Sequence, residues 1–184
     1  MALTPSNMPE LGLPAPDFDL PDTHGKQVSL SDLGDEPGLL VAFWCNHCPF
    51  VKHINEEFAS FAAEYQARGL AIVAISANDV ATHPGDSPDK MRDMAEQSGY
   101  VFPYLYDESQ QIARACDAAC TPDFFLYNAD RRLVYRGRFD ASTPGNDVPV
   151  SGEELRDAVD ALLAGQPIAR EQNPSIGCNI KWRE

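Results

Sequence analysis

The stretch Phe43–Phe50, FWCNHCPF, constrains the fold more than any other part of the chain. Its two cysteines, Cys45 and Cys48, flank Asn46 and His47 and lie between segments of different period. Before them, Gly38–Trp44 (GLLVAFW) is continuously apolar, as in a strand buried on both faces. After them, Ile54, Phe58, Phe61 and Tyr65 form one stripe, with Asn55, Glu56, Glu57, Ser60 and Glu64 on the other face. That is an amphipathic helix, ended by Gly69. The dithiol therefore falls where a buried strand ends and a helix begins.

That junction favours negative charge, because the first backbone N–H groups of a helix are unpaired and its dipole is positive there. A thiolate is such a charge, and the thiolate is the nucleophile of disulfide exchange. Cys45, nearest the helix start, is expected to be the more acidic and more exposed thiol and to attack. Cys48, one turn in, is expected to resolve the mixed disulfide. His47 between them would stabilise a thiolate further if protonated. A structural zinc site is the weaker reading, since it wants four ligands and usually two such clusters. The chain has no second C-x-x-C, Cys116 and Cys120 are spaced by four, and His53 and His83 show no ligand pattern. A purely structural disulfide is also weaker, because so short a loop constrains the unfolded chain little.

The 184 residues fit one domain over residues 1–184, with 166–184 as a C-terminal tail without periodicity. Residues 15–30 alternate on both sides of Asp22–Gly25 and read as a hairpin. Leu70–Ser76 is a second buried strand and Val101–Asp107 a third. Ser87 and Pro88 open a helix that Gly99 ends, and Asp107 caps a short one running through Ile112 to Cys116. Pro122–Phe139 reads as two strands around Asn128–Arg131. Ser151 and Glu154 form a capping box for a last helix bearing Leu155, Val159, Leu162 and Leu163 and stopped by Gly165. The sum is an α/β layered domain with a mainly parallel central sheet and an antiparallel edge.

A formal net charge of -14 disfavours non-specific binding to nucleic acid or to anionic membranes. No apolar run reaches membrane-spanning length, and the N-terminus shows no basic region followed by an apolar core. With the initial Met, this reads as a cytoplasmic protein. Five cysteines are an odd number, better suited to a reducing compartment with one working pair than to a disulfide scaffold.

CNHCPFVKH (45–53), ANDVATHPGDSPDKM (77–91), FPYLYDE (102–108), TPDFFLY (121–127) and SIGCNIKW (175–182) together resemble the thioredoxin-fold redoxin family. They are similar to small bacterial proteins catalogued as probable thiol-disulfide isomerases or thioredoxin-family proteins, over roughly residues 14–183. The resemblance implies a thioredoxin-like fold, a central mixed sheet flanked by helices, with an N-terminal hairpin and an inserted helix–strand unit at about residues 78–107. It implies a cis bond before Pro122, with Thr121 facing the dithiol and the loop offering backbone groups to a substrate strand. Trp44, Asn46, His47, Thr121 and Pro122 then bind substrate or tune the thiols. The implied activity is thiol-disulfide exchange through Cys45 and Cys48, on protein or small-molecule disulfides, with a thiol reductant system as electron donor and no bound cofactor.

Some positions depart from family patterns. Ala42 stands where peroxiredoxins carry a Thr or Ser, and Val51 where extracytoplasmic reductases often carry a Glu. The strand before the motif offers no buried Asp to take protons from Cys48. Cys120, two before Pro122, is either a third thiol beside the dithiol or a packing residue. Cys116 falls on the apolar side of its helix. Cys178 and Trp182 lie in a tail expected to dock in order. Two alternatives stay open: a redoxin-type thiol peroxidase, and a non-catalytic redox-sensing interaction module.

Overall fold

The apolar runs become neighbours in one five-stranded sheet. The structure, a computed structural model, describes residues 3–184; residues 1 and 2 of the expected domain lie outside the described residues. In chain order the elements are β1 (Leu3–Pro5), β2 (Asp19–Pro21), β3 (Gln27–Ser29), β4 (Gly38–Phe43), α1 (Pro49–Ala67), β5 (Leu70–Ser76), α2 (Pro88–Ser98) and β6 (Tyr104–Tyr106). They continue with α3 (Gln111–Ala115), β7 (Cys120–Thr121), β8 (Asp123–Asn128), β9 (Leu133–Gly137), α4 (Glu153–Leu163) and β10 (Ile176–Asn179).

The sheet runs β6-β5-β4-β8-β9, with β4 parallel to β5 and β5 to β6, and with β8 antiparallel to β4 and to β9. It is thus evenly mixed rather than mainly parallel. α2 and β6 are the inserted unit, and β2 and β3 form the hairpin. Alternation along β4 feeds two cores: Leu40, Ala42 and Trp44 pack with α1 and α4, while Leu39, Val41 and Phe43 pack with the hairpin and α3. Phe58, Phe61 and Tyr65 of α1 are fully or almost fully buried, each contributing about 1.5–3 kcal/mol by the usual burial scale.

One further expectation fails. There is no Ser151–Glu154 capping box: Gly152 is the N-cap residue of α4, in the left-handed region at φ 67°. Glu154 instead accepts from Arg138 and Asn173. Asp140 holds the turn before the helix instead, its carboxylate accepting from the Ser151 and Gly152 N–H groups at 2.7 and 2.6 Å. The tail, which shows no periodicity, docks in order as a strand. β10 pairs antiparallel with both β1 and β7, making a three-stranded sheet in which Cys178 lies opposite Thr121.

Candidate active site

β4 ends at Phe43 and α1 starts at Pro49, so Trp44–Cys48 is the connection between them. Pro at the first helical position leaves no N–H to satisfy there, and Cys48 becomes the N-cap residue. Trp44 is fully buried; its ring packs on Phe58 and its indole N–H donates to the Tyr100 hydroxyl at 2.9 Å. The bond before Pro122 is cis, and Thr121 does face the dithiol: its hydroxyl shares a hydrogen bond with Cys45 Sγ at 3.2 Å, and its carbonyl lies 3.2 Å from Cys48 Sγ. Cys45 and Cys48 are both fully buried, so the expected exposure of Cys45 is not met.

The two sulfurs have different surroundings. On the Cys45 side stands Asp86, delivered by the loop after β5. Its fully buried carboxylate accepts from the Asn46 N–H at 2.8 Å, from Asn78 Nδ2 at 2.9 Å, and pairs with His47 Nδ1 at 2.5 Å. Burial pushes this carboxyl up, but the bonds from His47, Asn78 and Asn46 outweigh it and hold it below the usual carboxylate range. His47 thus turns to Asp86, stacking on His83. The Asn46 side chain completes the arrangement, donating to Gly85 O and accepting from the Tyr104 hydroxyl.

On the Cys48 side stands Cys178, its Sγ 2.7 Å from Cys48 Sγ. Proton placement follows from counting partners. The Thr121 carbonyl can only accept, whereas the N–H groups of Val51 and Cys178 can only donate, and the Cys45 and Cys178 thiols can donate too. Donors win: the Cys45 thiol, then Cys178 and the two N–H groups, lower Cys48 to about 5 against the burial that raises it. Cys45 moves the other way, raised well above a normal thiol by its bond with Cys48, by burial and by the charge of Asp86. The expectation that Cys45 is the more acidic thiol is therefore reversed. Burial first, then Cys48, raises Cys178 to about 12.

Cys120 is not at the dithiol; its Sγ points to Pro122 O at 3.7 Å, and burial raises its pKa. The reason is strand geometry. Successive side chains point to opposite faces, so with Thr121 turned toward Cys45 its neighbour turns away, while Cys178, directly across the ladder from Thr121, shares its face. Cys116 is buried in the second core, as expected. Sequence reasoning also missed Asp123, the fully buried first residue of β8, which burial pushes up to about 7 although it accepts from the Ser6 hydroxyl and the Ala119 N–H. Asp86 and Cys178 both lie in motifs that carry the family resemblance, but nothing in their spacing places them at the cysteines.

Cys45, His47 and Asp86 offer ligand atoms within 4.8 Å of one another, and no fourth His, Cys, Asp or Glu joins them among the described residues. A closed structural zinc site needs four.

The AhpC/TSA family model matches residues 11–136, which run from before β2 into β9 and include the dithiol. The chain belongs to the AhpC/TSA family. Thiol-disulfide oxidoreductase ResA of Bacillus subtilis (strain 168) is 32% identical over 123 residues, covering 67% of this chain and 64% of that protein. The chain thus spans less than two thirds of that relative's length. The crystal structure of an uncharacterized conserved protein from Geobacillus kaustophilus shares 49% identity at a TM-score of 0.97, covering all of this chain and 97% of that one. A putative thiol:disulfide interchange protein DsbE from Chlorobium tepidum shares the fold, at 23% identity and a TM-score of 0.65 over 84% of this chain and 98% of that one. This AhpC/TSA member has the thioredoxin-like fold. No helix among the described residues is long and apolar enough to cross a membrane.

Proposed function

We propose that the chain reduces or exchanges disulfides through Cys45 and Cys48. One observation carries the reading: two buried thiols stand at a helix start against the Thr121 strand, with the Cys178 sulfur 2.7 Å from that of Cys48. A thiolate near neutral pH is what disulfide exchange requires.

The geometry also divides the labour. Cys48 is the sulfur that lies against both Cys178 and the Thr121 carbonyl. Cys45 is bordered by the Thr121 hydroxyl and the Asp86 loop. Cys48 thiolate therefore acts as base, taking the Cys45 proton; its new S–H then has the Thr121 carbonyl as acceptor. Cys45 attacks the substrate disulfide and expels one substrate thiolate, which takes the proton from Cys48. Cys48 thiolate then attacks the Cys45 sulfur, releasing the second substrate thiolate and leaving Cys45–Cys48 oxidised. A thiol reductant system returns the pair to the reduced state. Because both sulfurs are buried, a covering segment moves aside before a protein disulfide enters.

The test is insulin reduction with dithiothreitol, run beside hydrogen peroxide consumption. The reading expects faster insulin reduction, lost in both Cys45→Ser and Cys48→Ser. Peroxide consumption without insulin reduction would make the chain a thiol peroxidase, despite Ala42. A reversible Cys45–Cys48 disulfide with neither activity would make it a redox-sensing module.

A further inference from the structure

The C-terminal tail brings a thiol to the dithiol and is built to hold it there. Cys178 is 1% exposed, and its sulfur lies 2.7 Å from that of Cys48, well inside van der Waals contact. Strand β10 is fixed on both sides of it. Upstream, Ser175 bonds to Ser6 and to the Pro122 carbonyl. Downstream, the Lys181 N–H donates to Asn78 Oδ1, the Lys181 carbonyl accepts from the Asp79 N–H and from Gln110, and the Arg183 N–H donates to Gln110 Oε1. Between them, Gly177 lies so close to Thr121 that an added Cβ would meet the Thr121 carbonyl oxygen at 1.9 Å. Only a residue without a side chain lets β10 press against the cis-proline strand this closely. The fold has thus placed a third sulfur against the Cys48 member of the pair.

We propose that Cys178 is a third redox thiol, forming a disulfide with Cys48 by exchange with the Cys45–Cys48 disulfide. This rests on the dithiol reading given above. In the oxidised protein the Cys178 thiolate attacks the Cys48 sulfur. The Cys48–Cys178 bond forms, the Cys45–Cys48 bond breaks, and the electron pair leaves on Cys45. The proton that Cys178 gives up is matched by the one Cys45 takes up. Two thiol electrons have been removed before and after the step, so no further oxidant is consumed. The result is a protein that stays oxidised while Cys45 is again a thiol, with the tail covalently tied to the start of α1.

Disulfide mapping of the full chain tests this. The reduced protein is treated with one equivalent of diamide at neutral pH, quenched with acid at successive times, blocked with N-ethylmaleimide and cut with trypsin. Cys45 and Cys48 share the peptide 27–52 and Cys178 lies in 171–181, so the two disulfides differ as an internal and a cross-linked product. The expected result is Cys45–Cys48 first, followed by Cys48–Cys178 in on the order of a tenth or more of the oxidised molecules, the share two exchanging disulfides keep when their stabilities differ by less than about tenfold in equilibrium constant. Fragmentation between Asn46 and His47 assigns the link to Cys48. Cys45–Cys48 alone, or a cross-link in a smaller share or to Cys45, overturns the inference and leaves the dithiol reading standing. If Cys45 and Cys48 form no disulfide and insulin reduction is absent as well, the dithiol reading itself has failed.

Discussion

Two segments from distant parts of the chain close over the dithiol, and they act on its sulfurs in opposite directions. The loop at residues 77–87 brings a buried carboxylate, Asp86, whose charge helps hold the proton on Cys45. The tail at residues 174–183 brings a thiol and a backbone N–H, both from Cys178, that stabilise charge on Cys48. The two covers are joined, since Lys181 bonds to Asn78 and Asp79. The sheet and α1 set where the cysteines stand; the covers set which of them carries the charge. A C-x-x-C motif at a helix start is therefore an incomplete description of its own chemistry. Burial alone does not fix charge either: Asp86 and Asp123 are both fully buried and each has three donors, yet Asp86, one of whose donors is His47, lies below the usual range, whereas Asp123, whose donors are all neutral and which faces the charge of Asp117, is pushed up to about 7.

The comparison can be broken most forcefully at the sulfurs themselves. Cys48→Ser and Cys45→Ser should each lower disulfide turnover by several orders of magnitude, as for residues that act as a unit. They should differ in what they trap: Cys48→Ser, slowed in its first step by the loss of the base, still accumulates covalent adducts with a disulfide substrate on non-reducing gels, and Cys45→Ser none. Equal trapping by both would mean that Cys48 attacks substrate as well.

The loop side comes next. Asp86→Asn removes the charge facing Cys45, so Cys45 should alkylate faster at neutral pH, with labelling read by mass spectrometry. It also disturbs the acceptor of Asn46, His47 and Asn78 and should cost about 1–3 kcal/mol of stability. Because the Asp86 carboxyl is held below its unfolded value, this contribution is fully present above about pH 4 and is lost as pH falls through the lowered folded value. The gap in unfolding free energy between wild type and Asp86→Asn should close in that direction; a gap that persists in strong acid would show that the carboxylate charge is not its source.

A smaller change is expected on the tail side. Cys178→Ala removes one donor to the Cys48 thiolate, so the midpoint of thiolate absorbance near 240 nm should rise from about 5 by on the order of one unit, the worth of one hydrogen bond to a charged group. An unmoved midpoint would remove Cys178 from the electrostatics of the pair. The smallest effect on the dithiol belongs to Asp140→Ala. It removes the acceptor of the Ser151 and Gly152 N–H groups before α4 and should cost about 1–3 kcal/mol in denaturant unfolding, while leaving the thiolate midpoint where it was.

The core strands, α1 and the dithiol junction were legible because each rests on a run or a period that a single segment displays. Asp86 and Cys178 were not, because their roles arise between segments. Asp86 sits in a short non-periodic turn, and β10 is four residues containing Gly177 and Cys178, too brief for alternation to show. The Ser151–Glu154 pattern misled for a related reason: Arg138 and Asn173 claim Glu154, and Asp140 reaches the helix start from the preceding loop. Cys120 offers itself as a third thiol by its nearness in sequence to Pro122, whereas the alternation of a strand turns it away from the pair.

The central claim is that Cys45 and Cys48 form a reversible two-electron couple. Equilibrating the full chain in dithiothreitol or glutathione redox buffers at pH 7, with acid quenching and mapping of both cysteines, tests it directly. The expected result is one transition in which both thiols disappear together, at a potential between about -270 and -120 mV, the span from thioredoxin-like reductants to strong oxidants. Cysteines that stay reduced across that range, or that oxidise independently of one another, would contradict it.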